Sequence, residues 1–128
     1  MEKPVEVLFE GADITKYFPK EKSSINLSDV KESFAYLFVG HWLQGTVGED
    51  RKNVGLLVKN FYETFKNQKN TPALILKTTN GIVSYIDREQ VLDKIHAIKS
   101  TVEADTLPNI YLLHGDFTDE EMNELYNH

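Results

Sequence analysis

The sequence predicts an α/β fold: a partial, Rossmann-like three-layer domain with a mostly parallel sheet of three or four strands. Three observations predict it. Short runs of mostly apolar residues stand at 34–39, 73–76 and 109–113 and read as strands, the first with the length and composition of one buried on both faces. Each run is followed by a segment whose apolar residues recur at helical spacing. Strand–helix alternation of this kind calls for parallel strands joined by right-handed crossovers, with helices covering the sheet.

The elements follow in order. Val5–Phe9 (VEVLF) alternates apolar and polar residues as a short strand does, and Glu10-Gly11-Ala12-Asp13 reads as a turn. The stretch KEKSSINLSDVKES is polar with little periodicity, so it reads as a surface loop or linker. Residues 1–33 are thus an N-terminal strand with a linker, and 34–128 carry the α/β domain. Phe34–Val39 (FAYLFV) is the first buried strand of that domain. A glycine-rich loop follows, and Asn53 is placed to cap a helix bearing Val54, Leu57, Val58, Phe61 and Phe65. Ala73–Leu76, introduced by Pro72, gives the second strand. Asp87 with Gln90 resembles a capping box ahead of the stripe Val91, Ile95, Ile98 and Val102. Asn109–Leu113 is the third strand. Thr118 with Glu121 forms a second capping box, opening a helix with Met122 and Leu125.

Composition narrows the function. A chain of 128 residues, 41% of them hydrophobic, fits one ordinary domain with a core. No apolar run approaches the ~20 residues of a membrane helix, so no transmembrane segment is expected. The N-terminus lacks the features of a signal peptide, and the absence of cysteine excludes thiol catalysis and zinc–thiolate sites. Both fit a cytoplasmic protein. A net charge of -6 argues against nucleic-acid binding, which requires a broad basic face. A phosphorylated small molecule needs only local cations.

Those cations stand in FVGHWLQGTVGEDRKN, residues 38–53. Ligands of open parallel sheets bind at the carboxyl ends of the strands, where this stretch lies. Gly40 permits close backbone approach. The helix that starts near Asn53 offers free amides and a positive dipole end. With Arg51 and Lys52 these form a candidate phosphate cradle. The spacing is neither that of a Walker loop nor GxGxxG, and a solvated connector is the competing reading.

The ordered series VEVLFEGADITKYFP, FVGHW, RKNVGLLVKNFYETF, ALILKT and NIYLLHGDFTDEEMNELYN resembles the nucleotide-sugar-binding domain of GT-B-fold retaining glycosyltransferases (the group 1 glycosyl transferases), together with the segment that precedes it. The likeness covers nearly the whole chain. It implies a fragment of a glycosyltransferase of polysaccharide biosynthesis that moves a sugar from a nucleotide-diphosphate donor to an acceptor. The fragment would hold the diphosphate half of the donor site and be inactive without the remainder of the enzyme. The implied partner is a nucleotide sugar or nucleoside diphosphate, with no separate cofactor and no metal. Gly40 would lie against the diphosphate, Arg51 and Lys52 would pair with its charge, and the His114-Gly115 loop would lie near the nucleoside base. The family's pattern puts an arginine after the strand-end glycine and a glycine after the lysine. Here His41 and Asn53 stand there instead.

Several residues keep two readings. His41 is either a donor contact or a surface loop histidine. Trp42 stacks on a ligand or packs over a strand end. Lys77 faces the site or snorkels. His114, at a strand's carboxyl end, is a candidate ligand. His96 reads as a helix boundary residue, Asp119-Glu120-Glu121 as compensation of the helix dipole, and Asp13 as a turn residue. The competing functions are a stand-alone nucleotide-binding or protein-interaction module without catalysis, and a homo-oligomer formed through open sheet edges.

Overall fold

The structure is a computed structural model that describes residues 5, 6 and 10–128. Its elements run β1 (Ala35–Val39), α1 (Val54–Phe65), β2 (Ala73–Lys77), α2 (Tyr85–Lys99), β3 (Ile110–Leu113) and α3 (Asp119–Tyr126). The three strands form one parallel sheet in the order β1-β2-β3. The chain is therefore α/β with a three-stranded parallel sheet. Of the predicted Val5–Phe9 strand, residues 7–9 lie outside the described residues.

Contacts divide the chain into two units: Ser28–Asp116, and the residues up to Leu27 with Phe117–His128. In the first unit the register sets Phe38 beside Leu76 and Leu76 beside Leu112. Side chains alternate across a strand, so Phe38, Leu74, Leu76, Ile110 and Leu112 share one face. That face packs on Val54 and Val58 of α1 and on Val91, Ile95 and Ile98 of α2. The two helices also pack on each other. After α1, Asn67 adopts a left-handed conformation, and its Oδ1 accepts from the amides of Asp105 and Thr106 at 2.8 and 3.1 Å. The helix exit is thereby tied to the approach to β3.

Two expectations are corrected here. The run at 34–39 was expected to be buried on both faces, yet β1 is an edge strand with Tyr36 and Leu37 exposed, and only central β2 is buried along most of its length. Aromatic content misleads in this case. Phe34 and Tyr36 pack edge to face at 5.1 Å, and Phe61 and Phe65 of α1 pack at 5.2 Å, an aromatic cluster at the sheet margin whose outer rings stay exposed. The second correction concerns α2. It starts before the expected capping box: Ser84 is the cap, accepting from the Asp87 amide at 3.1 Å, and the Asp87 carboxylate turns inward to other partners.

In the other unit the expected Thr118–Glu121 capping box is present, with both reciprocal bonds made. Asp13 is a turn residue: its Oδ1 accepts from the Thr15 amide at 3.0 Å and the Thr15 hydroxyl at 2.6 Å. The polar stretch after it forms no helix or strand but docks on α3. Glu124 takes the Lys20 ammonium and the Ser24 amide, and Tyr17 donates to Asp119 at 2.8 Å.

Candidate functional site

The backbone beyond β1 keeps the direction of the strand. The Gly40 amide donates to the Lys77 carbonyl at 3.1 Å and the Trp42 amide to the Thr79 carbonyl at 2.9 Å. The ladder thus continues past the carboxyl ends of β1 and β2 and carries His41 and Thr79 side by side, with His41 Nδ1 2.9 Å from Thr79 Oγ1. Trp42 is fully buried, over the strand end rather than toward a ligand.

Lys52 folds back over this strand end. A β-carbon at Gly40 would lie 2.9 Å from Lys52 Nζ and 3.0 Å from its Cδ, so glycine is what lets the lysine stem lie against the backbone. Arg51 is exposed, with no hydrogen bond or ion pair of its own. The glycine-rich loop itself is pinned to α1 at a second glycine. A β-carbon at Gly55 would sit 1.2 Å from the Thr46 carbonyl oxygen, so the loop backbone touches the first turn of the helix.

The start of α1 differs from the expected one. Asn53 holds the cap position, but with φ 53° and no side-chain cap bond. Asp50 supplies the acceptor. Its buried carboxylate takes the amides of Lys52 at 3.1 Å and Val54 at 3.4 Å. The helix end expected to offer its amides to a diphosphate is therefore partly occupied by the chain's own carboxylate, and the cation above Gly40 is left as the main positive group.

His114 and Gly115 close the far side, beyond β3. His114 Nε2 lies 2.6 Å from Asp87 Oδ2, and both side chains are less than a tenth exposed. The same carboxylate takes the Asn80 amide at 3.0 Å. Burial raises the Asp87 pKa, but the His114 bond and the Asn80 and Ile82 amides outweigh it, holding the carboxyl below its usual range. Gly115 turns through φ 127° and presents its carbonyl to Lys77 Nζ at 2.6 Å. Burial lowers the Lys77 pKa against the pull of Asp116.

Two residues of this region escape the sequence reading. Lys94, on α2, donates to the Trp42 carbonyl at 2.9 Å and to Asn80 Oδ1 at 2.6 Å, with its ammonium 5.2 Å from the centre of the Trp42 ring. Burial holds its pKa below the ordinary lysine value, with Asp50 and Asp87 pulling the other way. A polar residue three positions after Val91, beside the buried stripe, is the signal that could have marked it. Thr78 is the other: its hydroxyl is buried without a partner, and nothing in the run KTTN distinguishes it.

The structure thus brings Gly40, His41 and Lys52 together at one strand end, sets His114 in a buried hydrogen bond to Asp87, and leaves Arg51 in solvent. Among the described residues no cluster of three or more His, Asp or Glu is placed to hold a metal, and no helix is long and apolar enough to cross a membrane. No family model matches the chain, and neither a curated protein nor a solved structure matches it.

Proposed function

We propose that this chain carries the diphosphate-binding part of the donor site of a nucleotide-sugar-dependent glycosyltransferase. The observation that supports the reading best is the Lys52 ammonium lying against Gly40 at the carboxyl end of β1, where open parallel sheets hold their ligands. A departing nucleoside diphosphate develops negative charge, which a cation fixed at this point stabilises. His41 stands next to it with Nε2 not engaged by Thr79, and Arg51 has the freedom to fold onto an arriving phosphate. Because Asp50 already takes the Lys52 amide and the Val54 amide at the start of α1, the cations carry the larger share of the recognition. The nucleotide-sugar part of the reading rests on the motif likeness. The cation at the strand end would serve a non-catalytic nucleotide-binding module equally well.

The test is an amide titration by NMR with UDP or GDP. Shifts centred on Gly40–Gly55 at millimolar ligand, weakened by Lys52→Ala, are the expected result. Shifts confined to another face would sink the donor-site assignment. Sugar transfer by this chain alone is not expected, and turnover with any nucleotide sugar would refute the partial-site reading.

A further inference from the structure

β1 lies at the edge of the sheet, and its backbone bonds alternate in direction. The Phe34 carbonyl accepts from the Ala73 amide at 2.9 Å, and the Gly40 amide donates to the Lys77 carbonyl at 3.1 Å. With the unbroken register between them, Phe34, Tyr36, Phe38 and Gly40 bond to β2, while Ala35, Leu37 and Val39 turn their N–H and C=O groups to the open side. Among the described residues no strand pairs with that side. Sheet edges are commonly guarded by charge, proline or a bulge. This one carries none of them: β1 reads AYLFV, and no Asp, Glu, Lys or Arg occurs from Ser33 to Gly48.

We propose that β1 pairs antiparallel with β1 of a second copy of this chain, about a two-fold axis at Leu37, so that two three-stranded sheets become one. The proposal is independent of what the crevice binds. Three observations select a second copy as the occupant.

The first is hydrogen-bond register. The open side needs a partner with alternating donors and acceptors, which an added strand supplies. The outward residues are symmetric about Leu37, so the strand fits itself without offset. Ala35 faces Val39 of the second copy, Leu37 faces its own counterpart, and each such pair exchanges both N–H···O bonds.

The second is the side-chain fit. The intervening pairs set Tyr36 against Phe38 of the second copy, where the Cα atoms of an antiparallel pair come closest. An apolar groove of about 330 Å³ receives them beside β1, lined by Tyr36, Phe38, Leu57, Phe61, Phe65 and Leu74. Tyr36 and Leu37, at the middle of the strand, are 49% and 38% exposed.

The third is charge. Two copies of a chain of net charge -6 repel one another over most of their surface. Ser33 to Gly48 is the longest stretch without Asp, Glu, Lys or Arg, and pairing along it sets no charge against its like. The other edge fits less well. β3 is a residue shorter and half-buried throughout, and a β1–β3 contact between copies is head-to-tail, which builds an open filament instead of a closed pair.

The test is sedimentation velocity of the full chain up to about 1 mM, since a single strand pair is at the small end of specific interfaces. A concentration-dependent dimer is expected. Leu37→Lys and Leu37→Asp each set like charges on the axis and should dimerise about ten-fold more weakly, while an equimolar mixture of the two should regain the dimer. Both should keep the circular dichroism of the unaltered chain, because Leu37 lies outside the core. The absence of cysteine from the chain gives a second readout. Leu37→Cys should form an interchain disulfide under mild oxidation, its Cα atoms standing about 5.5 Å apart across the axis. Tyr36→Cys, about 7–8 Å from its own counterpart, should cross-link far more slowly. A monomer at every concentration, open-ended assemblies, a mixture no better than either charged variant, or equal cross-linking at the two positions overturns the proposal.

Discussion

His114 and Asp87 form a buried hydrogen-bonded pair, with Nε2 2.6 Å from Oδ2, that ties the carboxyl end of β3 to the first turn of α2. The Asp87 carboxylate also gathers the Asn80 and Ile82 amides, so one side chain sets the loop between β2 and α2. Asp87→Ala strands a buried histidine and two amides together. It should cost about 3 kcal/mol in chemical denaturation, as removal of one partner of a buried pair does. The pH dependence has a defined sign. A carboxyl depressed in the fold stabilises fully above its ordinary value, and that contribution is lost as pH falls toward the folded value. Stability should therefore decline on acidification below the ordinary aspartate range, and Asp87→Asn should flatten the decline. An unchanged acid profile in Asp87→Asn would show that the pair contributes nothing to stability.

Gly55 and Gly48 share one loop–helix corner but face different obstacles. A β-carbon at Gly55 meets the Thr46 carbonyl oxygen at 1.2 Å, a backbone atom that no rotamer change moves, whereas one at Gly48 meets nothing. Gly55→Ala must therefore push the glycine-rich loop off α1, with an expected loss of about 3 kcal/mol. Gly48→Ala suffers only from its φ of 79°, and should cost about 1 kcal/mol. Denaturation midpoints that reverse this order would contradict the loop placement.

The elements of the sheet were legible because hydrophobic period is a local signal. The runs at 73–76 and 109–113 and the stripe Val91, Ile95, Ile98 follow directly from it. What failed was non-local. An apolar run does not state its place in the strand order, so the edge position of β1 was invisible. Caps failed where two residues competed. Asp50 and Asn53 both suit the start of α1, and only the path of the loop decides that Asp50 reaches the amides. At α2, the acid that resembled a cap was drawn inward by a histidine 27 positions away. The strand-end location of Gly40, His41 and Lys52 was readable from chain order alone. The distance of Lys52 from Gly40 was not, because it depends on a side chain folding back across the loop.

Glu124 anchors the N-terminal segment to α3. The Lys20 ammonium chiefly, with the Ser24 amide, lowers its pKa to about 2. The contribution of this group is present above the ordinary glutamate value and fades as pH falls toward 2. Lys20→Ala should bring the Glu124 titration, followed by side-chain carboxyl NMR, back toward the ordinary range. It should also loosen the segment, detected as faster amide exchange at Ser24. A Glu124 titration that does not move in Lys20→Ala would exclude the ion pair as the cause.

Asp50 places a negative charge at the helix end that the proposed ligand would approach. Its carboxylate accepts from the Lys52 and Val54 amides, which makes it both cap and competitor. Asp50→Ala removes the cap and should destabilise the chain by about 1 kcal/mol. Asp50→Asn keeps an acceptor for one amide, and its loss should be smaller. For ligand the order inverts. Without the carboxylate charge, a diphosphate meets the Lys52 ammonium and the dipole of α1 unopposed, a gain on the order of 1 kcal/mol, or several-fold in affinity. Asp50→Asn should therefore bind UDP or GDP more tightly than the unaltered chain in the amide titration, while unfolding at slightly lower denaturant. Tighter binding that survives when Lys52→Ala is added would place the diphosphate on the amides rather than on the lysine. Unchanged affinity in Asp50→Asn would mean that the ligand does not approach this end of α1 at all.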